Sequence, residues 1–463
     1  MRLYNTLTRQ VEEVVPLNDR HVRMYTCGPT VYRYVHIGNL RSFLLSDLVR
    51  RALEFEGYEV TQVINITDVG HMTDEASDAG RDRMDLAAED EGLAPARIAE
   101  KYLEAFLADA AKIGLRSAHV YPRATEHIPE MLELTERLIA GAHAYRVGGT
   151  VYYDVQSFPG YGKLSGNTLD ALRAGHRQEV EVDPDKRFHA DFALWKQAGP
   201  GRVMKWDSPW GEGFPGWHVE CSAMSMRYLG ERFDIHTGGS DLVFPHHEDE
   251  IAQSEGATGH PVVSIWVHGG FLRLGELKMA KSTGNVIRIA DLEAEGYDPL
   301  AFRYLTFQTR YRSEMDFSEE AMHAADIAVK RLRQRLTDWA PGERAASETA
   351  RDLDRRFRDA VANDLDMPQA LVVLNEAIGA DLSGGERYGL LSSWDEVLGL
   401  DLERDVREAW EPTAEMLALV DERDAARAAR DFAGADAIRD RLQSMGLEVM
   451  DTPEGTRIRP KVG

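Results

Sequence analysis

His21-Val22-Arg23-Met24-Tyr25-Thr26-Cys27-Gly28-Pro29-Thr30 opens the stretch that decides the fold. His21 to Cys27 alternates apolar and polar side chains, the pattern of a strand, and Gly28-Pro29 breaks it with a turn. From Asn39 to Phe55, Leu40, Phe43, Leu44, Leu48 and Leu53 recur at helical spacing. Tyr58 to Ile66 reads as the next strand and ends in Asn65-Ile66-Thr67-Asp68. Strand, helix and strand in this order make the unit from which a nucleotide-binding parallel sheet is built. Further along, Phe233-Asp234-Ile235-His236 and Val262-Val263-Ser264-Ile265-Trp266-Val267-His268 supply strands for its later half.

The chain has two cysteines, and each sits in a segment suited to holding a metal. Cys27 ends the first strand, and Cys221 lies in Gly216-Trp217-His218-Val219-Glu220-Cys221-Ser222. Pro245-His246-His247-Glu248-Asp249-Glu250 adds an imidazole and a carboxylate four positions apart, which a helix stacks on one face. Two thiolates, one imidazole and one carboxylate form a tetrahedral Zn²⁺ shell. Two buried free cysteines packed as small hydrophobes account for Cys27 and Cys221 equally well. His247-Glu248 would begin a metallopeptidase helix only with a histidine at 251; that residue is Ile251, so the hydrolase reading fails.

Two further motifs resolve the ambiguity. His36-Ile37-Gly38-Asn39 and Lys278-Met279-Ala280-Lys281-Ser282 resemble, in this order, the HIGH and KMSKS elements of class I aminoacyl-tRNA synthetases. Cys27-Gly28-Pro29-Thr30-Val31-Tyr32, Asn65-Ile66-Thr67-Asp68, Gly216 to Met224, Gly238-Gly239-Ser240-Asp241 and Phe244-Pro245-His246-His247-Glu248 narrow the likeness. With them the chain resembles the cysteinyl-tRNA synthetase family from Tyr4-Asn5-Thr6-Leu7-Thr8 to the C-terminus. Asn39 stands where the motif usually ends in a second histidine, and Ala280 replaces a serine.

The resemblance implies ATP-dependent ligation of L-cysteine to tRNA(Cys) through a cysteinyl-adenylate, with ATP entering alongside Mg²⁺. It assigns Cys27, Cys221, His246 and Glu250 to one Zn²⁺ that selects the substrate thiolate. Shape alone would separate cysteine from serine by only ~1–3 kcal/mol. His36, Asn39, Lys278 and Lys281 become the catalytic group, and Thr30, His36, Gly38, Asn39 and Lys281 the ATP-binding group. Gly28, Thr67, Trp217 and Asp241 are expected around the amino acid. Asp241 has a second reading as the cap of a helix ahead of Pro245 and Trp217 as plain packing; His236 reads as a neutral hydrogen-bonding partner behind the zinc ligands or, equally, as a satisfied core histidine. Arg427, Asp436 and Asp451 fall on positions resembling the anticodon-reading module.

The expected fold class is α/β: a Rossmann-like parallel-sheet catalytic domain with a connective-peptide insertion, then an α-helical bundle and a small mixed α/β C-terminal domain. The expected boundaries are 1–121 and 205–290 for the catalytic halves and 122–204 for the insertion. The stem-contact region and helical bundle take 291–400, and the anticodon module 414–463. Within the last, two helices, a stop at Gly446 and a strand Leu447-Glu448-Val449-Met450 are expected.

At 463 residues, 43% hydrophobic and 29% charged, the chain has the composition of a multidomain soluble protein. No apolar run approaches the ~20 residues that span a bilayer, and the N-terminus lacks a secretory pattern. Two distant thiols point to a reducing compartment, so a cytoplasmic monomer is expected. A net charge of −24 gives no basic footprint for RNA; the tRNA partner is implied by the resemblance alone. The acidic stretch from Asp74 to Glu91 is expected to be exposed, and the basic run Lys330 to Arg335 to form a solvated helix face.

Two other functions compete. A cysteine ligase acting on an amino-sugar or other small amine would share the zinc and lysine motifs but end before an anticodon module, so residues 414–463 favour tRNA. A catalytically silent RNA-binding paralogue would have no need of His36, Lys278 and Lys281.

Overall fold

The computed structural model describes residues 1–70, 72–74, 79–175, 183–275, 277–278, 286–339, 347–404, 412–452 and 455–460. Strands His21–Thr26 and Glu59–Ile64 run parallel, and helix Ile37–Phe55 joins them. The helix buries Leu40, Phe43, Leu44, Leu48 and Leu53 against the sheet, as their spacing requires. Phe233–Gly239 and Val263–Gly269 complete a four-stranded parallel sheet. Its spatial order is Val263–Gly269, Phe233–Gly239, His21–Thr26, Glu59–Ile64. Backbone bonds from Ile64 to Val120 and from Ile66 to Pro122 lay the segment up to Arg123 alongside the outer strand.

That order decides where chemistry happens. The chain leaves His21–Thr26 to one side, through Glu59–Ile64, and returns on the other, through Phe233–Gly239. A crevice therefore opens at the carboxyl ends of these two inner strands, where α/β sheets bind ligands. Every residue of Phe233–Gly239 is buried, so the strand is fixed on both faces.

Between the halves, helix Ile128–Ala140 packs on a four-stranded antiparallel sheet ordered Gly213–Pro215, Phe192–Gln197, Thr150–Tyr153, Ala144–Val147. Its edge strand Gly213–Pro215 comes from beyond residue 204. Fully buried Trp195 and Tyr153 share one core with Cys27, Cys221 and Val219, so this layer packs against both cysteines.

After residue 288 the chain is mainly helical: Ile289–Ala294, Pro299–Thr306, Glu319–Asp338, Glu348–Ala362, Met367–Gly379 and Gly384–Leu398. Asp298, Ser318, Ser347, Asp366 and Ser383 each accept a backbone N–H at a helix start, which stops the helices fraying. One short strand, Met315–Phe317, interrupts them and pairs in parallel with Leu272–Leu274. Leu272–Leu274 also pairs antiparallel with Leu277–Lys278. Fully buried Arg303 knits the helical part to helix Ile37–Phe55: it ion-pairs with Asp47 at 2.6 Å and donates to the Leu398 carbonyl at 2.5 Å.

The C-terminal piece has helices Ala414–Ala428 and Phe432–Ser444 and its own small core of Leu419, Leu442 and Leu447. Gly446 takes φ 80° and ends the second helix. Beyond it lies a hairpin, Leu447–Thr452 with Gly455–Pro460, rather than the single strand expected.

Two charge readings change. Within the acidic stretch, Asp82 is buried, caps helix Arg83–Glu91 and pairs with Arg202. Within the basic run, Arg333 is buried, paired with Asp298 at 2.5 Å and donating to the Leu400 and Asp401 carbonyls. Both charges find partners from distant segments, which no local pattern reveals.

Candidate active site and metal centre

Four side chains from four separate segments converge under the crevice. Cys27 directly follows strand His21–Thr26, Cys221 sits in helix Trp217–Leu229, His246 in the kinked turn Val243–His247, and Glu250 in helix Glu248–Thr258. Their ligand atoms all lie within 4.8 Å of one another, and all four residues are buried. Cys27 Sγ is 3.7 Å from Cys221 Sγ and 3.4 Å from a Glu250 oxygen; His246 Nε2 is 3.1 Å from the same carboxylate. Two sulfurs each ~2.3 Å from a tetrahedral zinc stand ~3.7 Å apart. The donor set fits zinc.

Other polar groups hold these donors from behind. His218 Nδ1 meets His246 Nδ1 at 2.8 Å, and His218 Nε2 lies 3.5 Å from Asp249, which accepts the Tyr161 hydroxyl at 2.5 Å. His236 Nε2 lies 2.9 Å from the second Glu250 oxygen. His247 Nε2 is 3.2 Å from Cys27 Sγ, and its Nδ1 meets His268, which reaches Thr6. Cys27, His236, His247 and Glu250 thus form a second, overlapping donor group. The first group contains both soft sulfurs and is the better match for zinc.

Electrostatics separates the two thiols. Burial, then the neighbouring Cys221, pushes the Cys27 thiol well up. Burial also opposes ionisation of Cys221, but the Cys27 hydrogen bond and His246 hold it down to about 6. His246 rises to about 10 despite burial, because Cys221 and Glu250 favour its cation. His236 and His246 keep Glu250 well below the usual carboxylate range, against burial.

Directly above lies a cleft of about 640 Å³. Gly28, Thr30, His36, Gly38, Asn39, Trp217 and Asp241 line it together with Cys27. A side chain at Gly28 would start 1.5 Å from the Asn65 carbonyl oxygen, so only glycine lets the two turns touch. The Gly28 N–H donates to the Asn65 side chain at 2.8 Å, and Asn65 donates to the Thr67 hydroxyl at 3.1 Å. Thr67 itself is buried and does not line the cleft. The Trp217 and His246 rings are 4.5 Å apart, so Trp217 connects the metal group to the cleft. Asp241 caps no helix; a short turn, Ser240–Leu242, carries it at the cleft wall.

His36 caps helix Ile37–Phe55. Its Nδ1 accepts the Asn39 backbone N–H at 3.3 Å, and the Asn39 side-chain oxygen accepts the His36 N–H at 3.3 Å. In a neutral imidazole the proton is therefore on Nε2. Asn39, expected as a donor to nucleotide, thus spends its carbonyl on a reciprocal cap. The crevice also receives the positive end of this helix, suited to phosphate. Lys278 lies in the strand Leu277–Lys278; Lys281 falls outside the described residues.

Of the expected RNA contacts, Asp451 accepts from Arg423 at 2.7 Å and pairs with Arg427, while Asp436 pairs with Arg439 at 3.1 Å. All three expected residues are on one small unit, each engaged with a neighbour.

Comparison with known proteins matches residues 13–327 to the class I (C) tRNA synthetase catalytic domain, and residues 411–459 to the cysteinyl-tRNA ligase anticodon binding domain. The chain belongs to the cysteine–tRNA ligase family. Ligases of this name from Thermus thermophilus and Salinibacter ruber are 44% and 43% identical to it. The first comparison covers 99% of this chain and 98% of the relative, the second 98% and 97%. The fold is similar to a Mycobacterium tuberculosis methionyl-tRNA synthetase in complex with methionyl-adenylate, with TM-score 0.54, 17% identity, and 90% and 96% of the two chains covered. Among the described residues no helix is long and apolar enough to cross a membrane.

Several residues of the ligase site were not anticipated. Arg33 and Arg83 line the cleft, with their guanidinium groups 5.2 and 5.7 Å from the Tyr32 ring. Tyr32-Arg33-Tyr34 carries a local signal, an aromatic and basic alternation beside the Gly-Pro turn; Arg83, inside an acidic stretch, carries none. Glu220 is fully buried, and burial, then the neighbouring Cys221, pushes its carboxyl well up.

Proposed function

We propose that this chain joins L-cysteine to tRNA(Cys) in two steps, with one zinc held by Cys27, Cys221, His246 and Glu250. The observation that carries the reading is that Cys27 of this donor group, Trp217 packed on His246 and the His36 helix end line one cleft. When bound, the zinc supplies a soft acceptor for the cysteine thiolate that a serine hydroxyl does not match.

The protein side chains do the rest. Trp217 walls the amino-acid end, Gly28 and Asp241 orient the substrate, and Thr67 supports them from behind the wall through Asn65. In the first step a cysteine carboxylate oxygen attacks the α-phosphorus of ATP, whose bond to pyrophosphate breaks. Charge grows on the departing phosphates, where the His36 Nε2–H, Lys278 and Lys281 donate, with Thr30, Gly38 and Asn39 bounding the nucleotide. ATP brings its Mg²⁺. In the second step a terminal ribose hydroxyl of the tRNA attacks the adenylate carbonyl and AMP leaves. Arg33 and Arg83 at the cleft favour these polyanions locally despite the overall negative charge.

Residues 1–121 and 205–290 act as the catalytic halves, 122–204 as the connective insertion, 291–400 as the stem-side bundle and 414–463 as the anticodon reader through Arg427, Asp436 and Asp451. The protein works as a monomer in the cytoplasm, where both thiols stay reduced.

The test compares cysteine-dependent ATP–pyrophosphate exchange with tRNA charging before and after deletion of residues 414–463. Exchange should persist and charging collapse. Charging that survives the deletion unchanged contradicts the assignment, as does an intact protein that passes activated cysteine to an amino-sugar and not to tRNA.

A further inference from the structure

Among the described residues, Tyr34 is the one large apolar side chain that both lines the cleft and is exposed, at 42%. It lies in the segment that leads from strand His21–Thr26 into helix Ile37–Phe55. Its ring is held in place: the buried Tyr102 ring, on helix Pro95–Lys112, meets it edge-on at 5.0 Å and 82°. One exposed ring is ordinary on a protein surface. What surrounds this one is not.

Cations gather around Tyr34 and its neighbour Tyr32. Arg33 and Arg83 stand 5.2 and 5.7 Å from the Tyr32 ring centre, and Arg288 and Lys101 stand 5.2 and 5.9 Å from the Tyr34 ring centre. They arrive from four segments: the turn before helix Ile37–Phe55, helix Arg83–Glu91, the start of helix Ile289–Ala294 and helix Pro95–Lys112. In a chain of net charge −24 this interleaving of rings and positive charge is local to the cleft and its rim. Lys101 pairs with Glu91 at 2.5 Å and Arg288 with Asp291 at 3.3 Å. Both pairs reach solvent, where ion pairs are weak and open to a competing phosphate. Rings interleaved with cations are how proteins hold an unpaired nucleic-acid strand: bases stack on the rings and the backbone follows the charge. ATP brings one base and one triphosphate, and the His36 helix end already suits its phosphates. Cations around two successive rings suit a longer strand, and the second step brings one, because the terminal ribose of the tRNA must cross the cleft rim to reach the adenylate.

We propose that Tyr34, with Tyr32 and the four cations around the two rings, forms the entry track on which the unpaired 3′ end of the tRNA stacks as it reaches the cleft. This rests on the two-step tRNA-charging reading above. Tyr34 then serves the transfer step and leaves cysteine activation alone, since no tRNA is present when the adenylate forms.

The test uses full-length, zinc-loaded protein carrying Tyr34→Ala, Tyr34→Trp or Arg33→Gln, with tRNA(Cys) either intact or shortened by its unpaired 3′ nucleotides. Tyr34→Ala should weaken binding of the intact tRNA, and raise its KM in charging, by about 5- to 150-fold, the worth of one stacked base. Binding of the shortened tRNA should change by less than about twofold, since the segment that stacks is already gone. Cysteine-dependent pyrophosphate exchange should keep its rate and its KM for ATP. Tyr34→Trp, which keeps a ring to stack on, should bind intact tRNA as the unmodified protein does. Arg33→Gln should reduce the steepness of log Kd against log salt by about 0.7 for the intact tRNA alone, and keeps the proposal testable if Tyr34→Ala folds poorly. Unchanged binding of intact tRNA in Tyr34→Ala, or an equal loss with intact and shortened tRNA, overturns the proposal. So does a raised KM for ATP, which would give the Tyr34 ring to the adenine. Unmodified protein that exchanges pyrophosphate but charges no tRNA overturns the reading beneath the proposal, a result distinct from these.

Discussion

Cys27 Sγ and Cys221 Sγ lie 3.7 Å apart, although 194 positions separate the two residues in the chain. A disulfide would need ~2.05 Å, whereas two thiolates on one zinc stand at about the observed separation. The strand that precedes Cys27 and the helix bearing Cys221 share one apolar core, so the fold itself holds the pair together. Changing either cysteine to serine should therefore abolish zinc binding while the protein stays folded. The KM for cysteine should rise far more than that for ATP. Zinc retained at one equivalent in both variants, measured by elemental analysis, contradicts the assignment.

Zinc affinity should depend on pH in two regimes. Near neutrality Cys27 is a thiol and His246 an imidazolium, so both must release a proton on binding. Cys221 joins them only below about 6, where its thiolate takes up a proton. Metal binding then competes with about two protons at pH 7 to 8 and about three below pH 6. Competition titration with a chromophoric chelator reads the slope of log K against pH. A slope that flattens on acidification contradicts the charges described.

His36 and Asn39 should separate in their effects. His36→Ala removes a donor aimed at the nucleotide and should lower kcat for adenylate formation by ~10²–10³-fold. Asn39→Ala removes half of a cap, which typically costs ~1 kcal/mol of stability, and should reduce the rate far less. Pyrophosphate exchange and thermal unfolding of both variants check this; equal rate losses would show that Asn39 meets the nucleotide itself.

Asp47 and Arg303 join helix Ile37–Phe55 to the helical part, and neither is appreciably exposed. Burial raises the Asp47 carboxyl, but Arg303 and Arg51 outweigh it and hold the pKa below its usual value. A depressed carboxyl contributes stability above its unfolded pKa, about 3.9, and loses it as the pH falls through the lower folded value. Asp47→Ala should therefore destabilise the protein by ~3–5 kcal/mol at pH 7, by leaving Arg303 buried and unpaired. The gap from the unmodified protein should narrow below about pH 4. A gap independent of pH in denaturant titrations would mean that packing, not charge, holds this junction.

Local signals carried much of this structure. The alternation in His21 to Cys27 and the leucine spacing after Asn39 are carried by each element's own periodicity, and a strand and a helix form there. The spacing of His246 and Glu250 likewise predicts their stacking, which survives a kink at Phe244 because Glu250 remains one turn along. Where a side chain answers to a distant segment, the sequence is silent. Arg333 reads as a surface charge until Asp298 and the Leu400 carbonyl bury it. Met315–Phe317 is too short to register as a strand, and only Leu272–Leu274 gives it a partner. Arg41 looks like one more arginine on an amphipathic helix until the Gly270 and Ser313 carbonyls surround it.

The central claim is that one cleft selects cysteine by its sulfur and delivers it to tRNA. Zinc-loaded full-length protein, supplied with ATP and total tRNA, should be tested with labelled cysteine and labelled serine side by side. Acid-precipitable label should build up with cysteine, stop at the level of tRNA(Cys), and stay at background with serine. Serine charged at a rate within about 100-fold of cysteine would mean that shape alone does the selecting, and no charging with cysteine, while pyrophosphate exchange proceeds, would contradict the account outright.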